Sequence, residues 1–152
     1  MWFFSEEEKQ IVEVARSFAQ NELAPYAEKH DHDESFNLEA FKKMGELGLL
    51  GITAELEYGG AGMGATAATI VMEEFGKGLV VEPFLETIVL SAGLIDSCGN
   101  KKQKKEVLEK VILGKMHLAL AFTEPQSRFD LSDVITEAKQ DGDSYVLNGY
   151  KS

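Results

Sequence analysis

Residues 117–130 read HLALAFTEPQSRFD, and the pattern of the chain changes within this stretch. Residues 118–122 are all apolar, which predicts a short buried strand. Thr123, Glu124 and Pro125 follow at once and supply a hydroxyl, a carboxylate and a residue that stiffens the backbone. A strand that ends in polar groups is a common way to build a ligand site, because the scaffold holds the loop in place. The sequence before this stretch has the period of helices, and the sequence after it alternates like strands.

The chain before this stretch predicts five helices, whose apolar residues recur every three or four positions. Ser5 and Glu8 form a capping box at the start of the first helix, and Pro25 ends or bends it. Asn37 and Asn100 are predicted to cap the second and the fifth. The third is predicted over residues 65–75. The apolar faces of the other four are Ile11, Val14, Phe18 and Leu23 in the first; Leu38, Phe41, Met44 and Leu47 in the second; Phe84, Ile88, Val89, Leu94 and Ile95 in the fourth; and Val107, Leu108, Val111 and Ile112 in the fifth.

The fourth helix starts at Pro83 and is apolar on nearly every side, so we expect it at the centre of the helical bundle. Cys98, near its end, is the single cysteine of the chain, which excludes an intramolecular disulfide and favours a reducing compartment. Because an apolar run precedes Cys98, we predict a buried structural thiol there. On the third helix, Glu73 and Glu74 are predicted to form a solvated edge.

After Gly114 the sequence predicts strands. Residues 134–139 and 145–147 are expected to be the second and third strands, joined by an Asp-Gly turn at residues 141–143. A few strands after a helical bundle have open edges and little to pack against. The sequence therefore predicts a mainly α fold, a helical bundle followed by the first strands of an incomplete β domain. We expect the chain to be a fragment of a longer protein.

The composition is that of a globular domain, with 152 residues of which 44% are hydrophobic and 27% charged. The formal net charge of -11 argues against nucleic acid and anionic membrane surfaces, because both bind cationic patches. The longest apolar run, residues 84–95, contains Glu86, Thr87 and Ser91 and is too short for a membrane span. We predict a cytoplasmic protein without a nucleic-acid or membrane partner.

Two further patterns have more than one interpretation. His30 and His32, within the polar residues 28–35, could chelate a transition metal in an extended loop, but no other cluster supplies the remaining ligands. A solvated connection is preferred, and no metal site is predicted. Residues 60–65 match the dinucleotide fingerprint G-x-G-x-x-A, yet no run of β-branched residues precedes them, as a nucleotide-binding strand requires. A glycine-rich loop between helices is the better explanation.

Five motifs occur in order along nearly the whole chain. They are SEEEKQ at 5–10 with Phe18 and LAP at 23–25; LGLLG at 47–51; EYGGAG at 57–62; Gly99 with Gln103, Lys104 and Gly114; and AFTEP at 121–125 followed by DGDSYVLNGYK at 141–151. Each is weak alone, but together they resemble the amino-terminal part of the acyl-CoA dehydrogenase family. The resemblance implies an up-and-down helical domain at residues 1–114 and the incomplete start of a β-barrel-like middle domain at residues 115–152.

The resemblance also implies an enzyme with FAD as cofactor, which oxidises an acyl-CoA thioester to trans-2-enoyl-CoA. The α proton would be abstracted by a carboxylate, and the β hydrogen would leave as hydride to flavin N5. Leu120, the Phe122 backbone and the Thr123 hydroxyl would lie near the flavin, where fixed donors stabilise the charge of the reduced ring. The base is expected beyond Ser152, so no residue of this chain is predicted to be catalytic, and the chain alone is expected to be inactive.

The match weakens after Pro125. The family commonly continues Gly-Ala-Gly-Ser-Asp, whereas residues 126–130 are QSRFD, so Arg128 and Phe129 replace a Gly-Ser pair. This variant is similar to the small subunit of pimeloyl-CoA dehydrogenase. We expect Arg128 and Phe129 to contact the substrate, with Arg128 meeting a phosphate or an acyl carboxylate. A structural salt bridge of Arg128 is an equal alternative.

Two kinds of partner follow from the resemblance. One is an electron-transfer flavoprotein or a similar acceptor, and the other is a second acyl-CoA dehydrogenase subunit in a homo- or hetero-oligomer. The sequence leaves one further function open: a non-catalytic helical subunit that docks on a partner acyl-CoA dehydrogenase subunit. The altered residues 126–130 favour this alternative, because they depart from the family at the expected site.

Overall fold

The structure is a computed structural model that describes residues 4–128 and 130–152. The chain divides into two compact units, the first ending at Ala119 and the second spanning Leu120–Ser152. The first is helical, and the second contains a two-stranded sheet, which confirms the mainly α fold predicted from the sequence. In the part of the chain that the structure describes, no helix has the length and apolar character needed to cross a bilayer.

The helical unit consists of α-helices joined by short π-helical and 3-10 segments. The α-helices are α1 (Glu6–Phe18), α2 (Ala27–His32), α3 (Leu38–Glu46), α4 (Gly64–Lys77), α5 (Gly93–Cys98) and α6 (Lys101–Ile112). The π-helical segments are Ala19–Leu23 and Leu85–Ala92, and the 3-10 segments are Ala24–Tyr26, Leu49–Gly51 and Leu56–Tyr58. All five predicted helices are present, with the fourth divided between Leu85–Ala92 and α5.

Polar side chains cap the helices that the sequence predicted them to cap. The Glu8 N–H donates to Ser5 Oγ at 3.1 Å, and the Ser5 N–H donates to Glu8 Oε2 at 2.7 Å. Asn100 and Gln103 form the same reciprocal pair at α6, with both distances 2.9 Å, and Asn37 accepts from the first turn of α3. These bonds fix where the helices begin, because they satisfy N–H groups that have no partner inside a helix.

Pro25 does not end the helical structure. It lies in the 3-10 segment Ala24–Tyr26, and the chain continues directly into α2. Residues 28–32 are therefore helical, and the prediction of a polar connection over 28–35 is wrong for them. Proline is tolerated in a first helical turn because its missing N–H would have no partner there in any case.

Apolar residues from the helices form a core within the helical unit. Phe41 and Met44 of α3 and Val71 of α4 are completely enclosed. The other large apolar side chains with almost no exposed surface are Leu50, Phe84, Ile88, Leu108 and Val111. Because burying one such side chain is worth about 1.5–3 kcal/mol, this core is the main source of the stability of the unit.

The fourth helix differs from its prediction. Thr87 and Ile88 face the core, but Leu85, Val89 and Leu94 are more than a third exposed. The expectation of a central helix is therefore wrong within this unit, because the helix is apolar on nearly every side while the rest of the unit covers only one of them. Cys98 is exposed on the last turn of α5, at the surface of the unit, so the expected buried thiol is wrong as well.

Residues 118–122 have no regular secondary structure and do not form the predicted strand. Leu118 instead bonds to the buried Thr87 hydroxyl, which accepts from its N–H at 3.2 Å and donates to its C=O at 3.1 Å. The Thr87 hydroxyl thus forms the hydrogen bonds to the Leu118 N–H and C=O that a neighbouring strand would otherwise form. The apolar pattern is typical of a strand, but a side chain 31 positions earlier takes the place of the strand partner.

The second unit contains one hairpin in its described part. β1 (Glu137–Asp141) pairs antiparallel with β2 (Ser144–Asn148), and Gly142 takes φ +60° in the turn, as the Asp-Gly pattern predicts. β1 begins later than the predicted start at residue 134, because the N–H groups of Ile135 and Thr136 bond to a side chain and not to a strand. Both strands are exposed at every position.

Candidate functional site

The residues expected near a cofactor lie on the segment without regular secondary structure that opens the second unit. Leu120 and Thr123 are partly buried, and Phe122 is 46% exposed. The N–H and C=O groups of residues 120–122 and the N–H of Thr123 make no hydrogen bond to any residue that the structure describes. Such a backbone edge, with free donors and acceptors, can bind a planar polar ligand without breaking protein contacts.

Thr123 is joined to Ser152 by two hydrogen bonds. The Thr123 hydroxyl donates to the Ser152 C=O at 2.6 Å, and the Ser152 N–H donates to the Thr123 C=O at 3.0 Å. A threonine hydroxyl has one hydrogen to donate and two lone pairs that accept. In this arrangement Ser152 takes the hydrogen, and the lone pairs of the hydroxyl remain available.

Glu124 organises this unit, although the sequence did not single it out as a site residue. Its side chain is completely enclosed, and its carboxylate accepts hydrogen bonds from Lys151 Nζ at 2.7 Å, Gln126 Nε2 at 2.8 Å, the Ile135 N–H at 2.8 Å and the Thr136 N–H at 3.2 Å. These donors, Lys151 first, hold the pKa of Glu124 well below its usual range. A carboxylate held ionised in this way is a poor general base at neutral pH.

No local pattern in the sequence identifies the partners of Glu124. Lys151 lies 27 positions away, and Ile135 and Thr136 contribute backbone N–H groups, which almost every residue has. The one signal is the position of Glu124, a charge directly after an apolar run and before a proline, where an unpaired carboxylate is costly if buried. That signal predicts that a partner exists, but it does not say which residue the partner is.

The turn after Glu124 is closed by Ser127, a buried side chain. Its hydroxyl accepts from the Glu124 N–H at 3.2 Å and donates to the Glu124 C=O at 2.9 Å. Arg128 follows with φ +51°, in the left-handed region that is uncommon for residues other than glycine. This is the position at which the family pattern has a glycine. Phe129, the other residue expected to contact substrate, lies outside the described residues.

Arg128 is exposed at the end of this turn. Salt bridges are present elsewhere in both units, but none of those between described residues involves Arg128. The guanidinium group therefore projects from a well-tied turn without a carboxylate from this part of the chain, and its donors can bind an external anion.

The glycine-rich segment has the geometry of a closed loop. It follows the 3-10 segment Leu56–Tyr58 and not a buried strand. The Ala61 N–H donates to the Gly51 C=O at 2.8 Å, so it is not free to bind a phosphate. A Cβ at Gly60 would lie 2.1 Å from the Ala54 carbonyl oxygen, which explains why glycine is needed there. The loop interpretation is confirmed, and the dinucleotide interpretation has no support in this geometry.

Glu74 is buried in the helical unit, so the predicted solvated edge is wrong for it, while Glu73 is exposed. Arg16 donates to both Glu74 oxygens, at 2.9 and 3.0 Å, and Lys77 Nζ donates at 2.9 Å. The hydrogen bond from Arg16 is the main cause that lowers the pKa of Glu74, and the same bond raises the pKa of Arg16. This cluster joins α1 to α4 and is structural, since its carboxylate is held ionised by two cations.

His30 and His32, the two histidines with the spacing of metal ligands in an extended chain, lie on α2. His30 Nδ1 is 3.2 Å from Ser35 Oγ, and His32 Nδ1 is 3.2 Å from Asp33 Oδ1. Residues two apart on a helix point in different directions, so the extended geometry needed for chelation is not present. Over residues 4–128 and 130–152, no group of three or more histidine, cysteine, aspartate or glutamate side chains is placed to hold a metal ion.

Comparison with known proteins places the chain in a family. The family model described as the acyl-CoA dehydrogenase N-terminal domain matches residues 5–115. The chain belongs to the acyl-CoA dehydrogenase family. Mitochondrial isovaleryl-CoA dehydrogenase of Bos taurus is 40% identical over 151 residues, which cover 97% of this chain. The chain spans 35% of the length of that acyl-CoA dehydrogenase, little more than a third.

Solved acyl-CoA dehydrogenase structures share the fold. A glutaryl-CoA dehydrogenase in complex with glutaryl-CoA has a TM-score of 0.91 and 31% identity, covering 99% of this chain and 40% of its own. An acyl-CoA dehydrogenase from Bacillus anthracis complexed with FAD has a TM-score of 0.80 and 32% identity, covering 96% of this chain and 26% of its own. The family resemblance seen in the sequence motifs is confirmed. The likeness to the pimeloyl-CoA dehydrogenase small subunit stays a prediction.

Proposed function

We propose that this chain is the amino-terminal part of an FAD-dependent acyl-CoA dehydrogenase that oxidises an acyl-CoA thioester to trans-2-enoyl-CoA. The substrate would lose its α hydrogen as a proton and its β hydrogen as a hydride, and a carbon–carbon double bond would form. The observation that carries the proposal is that the family's fold extends over 99% of the chain in a relative that binds glutaryl-CoA. Residues 1–114 would be the helical domain and residues 115–152 the start of the β domain.

The backbone groups of residues 120–122 and the Thr123 N–H, which have no described hydrogen-bond partner, suit the pyrimidine side of a flavin. FAD, when bound, would supply the acceptor for the hydride. Leu120 and Phe122 would lie against the cofactor, and Thr123 would hydrogen-bond to its polar edge. N–H groups without a described partner suit the polar edge of the flavin, because fixed donors stabilise the negative charge that reduction places on the ring.

Thr123 offers two different groups to such a ligand. Its N–H has no described partner and can donate without breaking any bond. Its hydroxyl already donates to Ser152 at 2.6 Å, so it reaches the ligand with its lone pairs and accepts. We therefore assign the donor role to the Thr123 backbone and an orienting, accepting role to its hydroxyl.

Arg128 and Phe129 are proposed to contact the acyl-CoA. Arg128 is exposed and forms no salt bridge with a described residue, so its planar guanidinium can bind a CoA phosphate or an acyl carboxylate through two parallel bonds. The assignment of Phe129 rests on the sequence alone.

No carboxylate of this chain is proposed as the base. Glu124 and Glu74 are each held ionised by cationic partners, and their pKa values are lowered. We assign the base to a residue outside 1–152 and expect the chain alone to be inactive. An electron-transfer flavoprotein or similar acceptor and an oligomer with another acyl-CoA dehydrogenase subunit are proposed from family likeness. A cytoplasmic location is proposed from the single cysteine.

The visible spectrum of the purified full-length protein tests the proposal. We expect a flavin absorption band that is bleached when acyl-CoA is added without an acceptor. A colourless protein that takes up no added FAD would contradict it. If such a protein instead co-purifies with a flavin-containing acyl-CoA dehydrogenase subunit, the non-catalytic helical subunit becomes the better function.

A matched pair of variants tests the site. Thr123→Val keeps the side-chain shape and removes the hydroxyl, so we expect FAD binding to weaken by about 1–3 kcal/mol. Thr66→Val makes the same change at an exposed position of α4 and should leave FAD affinity unchanged. Equal affinities for both variants would remove the Thr123 hydroxyl from the site.

A further inference from the structure

Two neighbouring links tie residues 123–124 to residues 151–152. Thr123 and Ser152 exchange the two hydrogen bonds described above, at 2.6 and 3.0 Å. One residue further along, Glu124 Oε1 accepts from Lys151 Nζ at 2.7 Å. The two pairs run in opposite directions along the chain, like opposed residues of an antiparallel ladder. The ion pair therefore sets the register in which the Thr123 hydroxyl meets the Ser152 carbonyl.

The same carboxylate holds two other pieces of the unit. Its Oε2 accepts from Gln126 in the following turn and from the Ile135 N–H, both at 2.8 Å, and its Oε1 also accepts from the Thr136 N–H at 3.2 Å. The Glu124 side chain has no exposed surface, so water cannot replace any of these donors. Buried polar networks of this kind fix geometry firmly when every member is satisfied.

We propose that Glu124 is a positioning residue, which fixes the orientation of the Thr123 hydroxyl at the flavin edge. It holds Lys151 by an ion pair, and the next residue, Ser152, accepts the hydrogen bond of that hydroxyl. The proposal rests on the proposed function, since it places a flavin beside Thr123. Glu124 itself does not touch the cofactor in this scheme. It acts by holding Ser152, which takes the only hydrogen of the Thr123 hydroxyl and leaves the lone pairs for the ligand.

The chemistry of the network requires a carboxylate and not its isosteric amide. Four donors face the two oxygens of Glu124. A glutamine has one oxygen with two lone pairs, and its NH2 group would face N–H donors. Glu124→Gln thus keeps the volume of the side chain but leaves at least two donors without an acceptor, so the tie at Thr123 must shift.

The experiment uses the full-length, FAD-loaded protein with Glu124→Gln and, as a matched control, Glu137→Gln on exposed β1. We expect Glu124→Gln to shift the flavin absorption band and reduction potential and to slow flavin reduction by about a hundredfold, because small displacements of positioning groups have effects of that size. Glu137→Gln should change none of these. In the flavin-free protein, the Ser152 amide should exchange faster in Glu124→Gln than in wild type.

A double-mutant cycle with Thr123→Val separates positioning from a general loss of structure. If Glu124 acts through Thr123, the valine substitution should have little further effect on the flavin band once Glu124 is glutamine. If Thr123→Val shifts the flavin band as much in Glu124→Gln as in wild type, the two residues act independently and the proposal is overturned. If Glu124→Gln does not fold, Lys151→Met decides in its place, because three donors to the carboxylate then remain. A shifted flavin band in Lys151→Met supports the proposal, and an unchanged band overturns it.

The wild-type protein shows whether a failure concerns the positioning role of Glu124 or the proposed function on which that role rests. A wild type that binds no FAD would overturn the proposed function and this role together. A flavin-loaded wild type whose spectrum, potential and reduction rate are matched by Glu124→Gln would overturn the positioning role alone.

Discussion

Each of the two units is stabilised internally by a different kind of interaction. In the helical unit the enclosed positions are mostly apolar, as in Phe41, Val71 and Leu108. Among the described residues after Leu120, the buried side chains are both polar, Glu124 and Ser127, and the hairpin strands are exposed throughout. Apolar packing is not directional, whereas hydrogen bonds to a buried carboxylate fix both distance and angle. The second unit is therefore suited to placing individual polar groups, and the first to supplying stability.

The largest expected effect tests whether apolar packing stabilises the helical unit. Phe41 is fully buried, so Phe41→Ala should lower the free energy of unfolding by about 3–5 kcal/mol, the cost of lost transfer energy and of the cavity. Urea unfolding followed by circular dichroism measures this change. Leu56 is apolar but 77% exposed, and Leu56→Ala should stay within about 0.5 kcal/mol of wild type. Similar losses for the two variants would contradict the assignment of the core.

The second unit should respond to pH through Glu124. Its pKa in the folded protein lies below the ordinary value of 4.5, so its contribution to stability is fully present above pH 4.5 and is lost as pH falls toward the folded pKa. The difference in urea midpoint between wild type and Glu124→Gln should therefore be largest at neutral pH and shrink below pH 4.5. A difference that does not depend on pH would show that the carboxylate charge is not what holds the unit.

The glycine-rich loop allows a test of close backbone packing. Gly60→Ala places a Cβ 2.1 Å from the Ala54 carbonyl oxygen, so we expect a loss of about 1–3 kcal/mol in unfolding free energy. At Gly76 in α4, the position that a Cβ would take has no heavy atom within 4 Å, so Gly76→Ala should stabilise by about 0.5–1 kcal/mol. The midpoint temperature of thermal unfolding should thus fall for Gly60→Ala and rise for Gly76→Ala. A change in the same direction for both variants would contradict the close packing at Gly60.

The smallest expected effect concerns a helix cap. Asn100→Ala removes the acceptor for the Gln103 N–H at 2.9 Å and should cost about 1 kcal/mol of unfolding free energy. Lys102, exposed on the same helix, offers a control: Lys102→Ala should change stability by less than about 0.5 kcal/mol. Equal midpoints for both variants in urea would mean that the cap adds nothing to the helical unit.

Local features of the fold could be predicted from the sequence because their causes are local. The cap at Ser5 and the Asp-Gly turn at Gly142 depend on residues a few positions apart, and both are present. The exposed side of the fourth helix could not be predicted, since apolarity does not tell how many sides a neighbour covers. The family motifs located the Thr123 segment, but whether it meets a flavin stays a prediction.

The interactions that escaped prediction join distant positions. Glu124 meets Lys151 27 positions later, and neither residue type nor spacing marks the pair. Arg128 takes a left-handed backbone conformation that its residue type does not favour, because Ser127 and Glu124 close the preceding turn. Both belong to the second unit, where specific hydrogen bonds and not periodic packing decide the backbone path.

The Thr87–Leu118 contact turns one amide into a reporter. The Leu118 N–H is protected by a side-chain hydroxyl at 3.2 Å and not by a neighbouring strand. Its proton can therefore exchange with deuterium when a single rotamer changes, without the separation of two strands. Deuterium uptake at Leu118 would follow the motion of one threonine in the helical unit, at a site that lies just before the segment proposed to meet the cofactor.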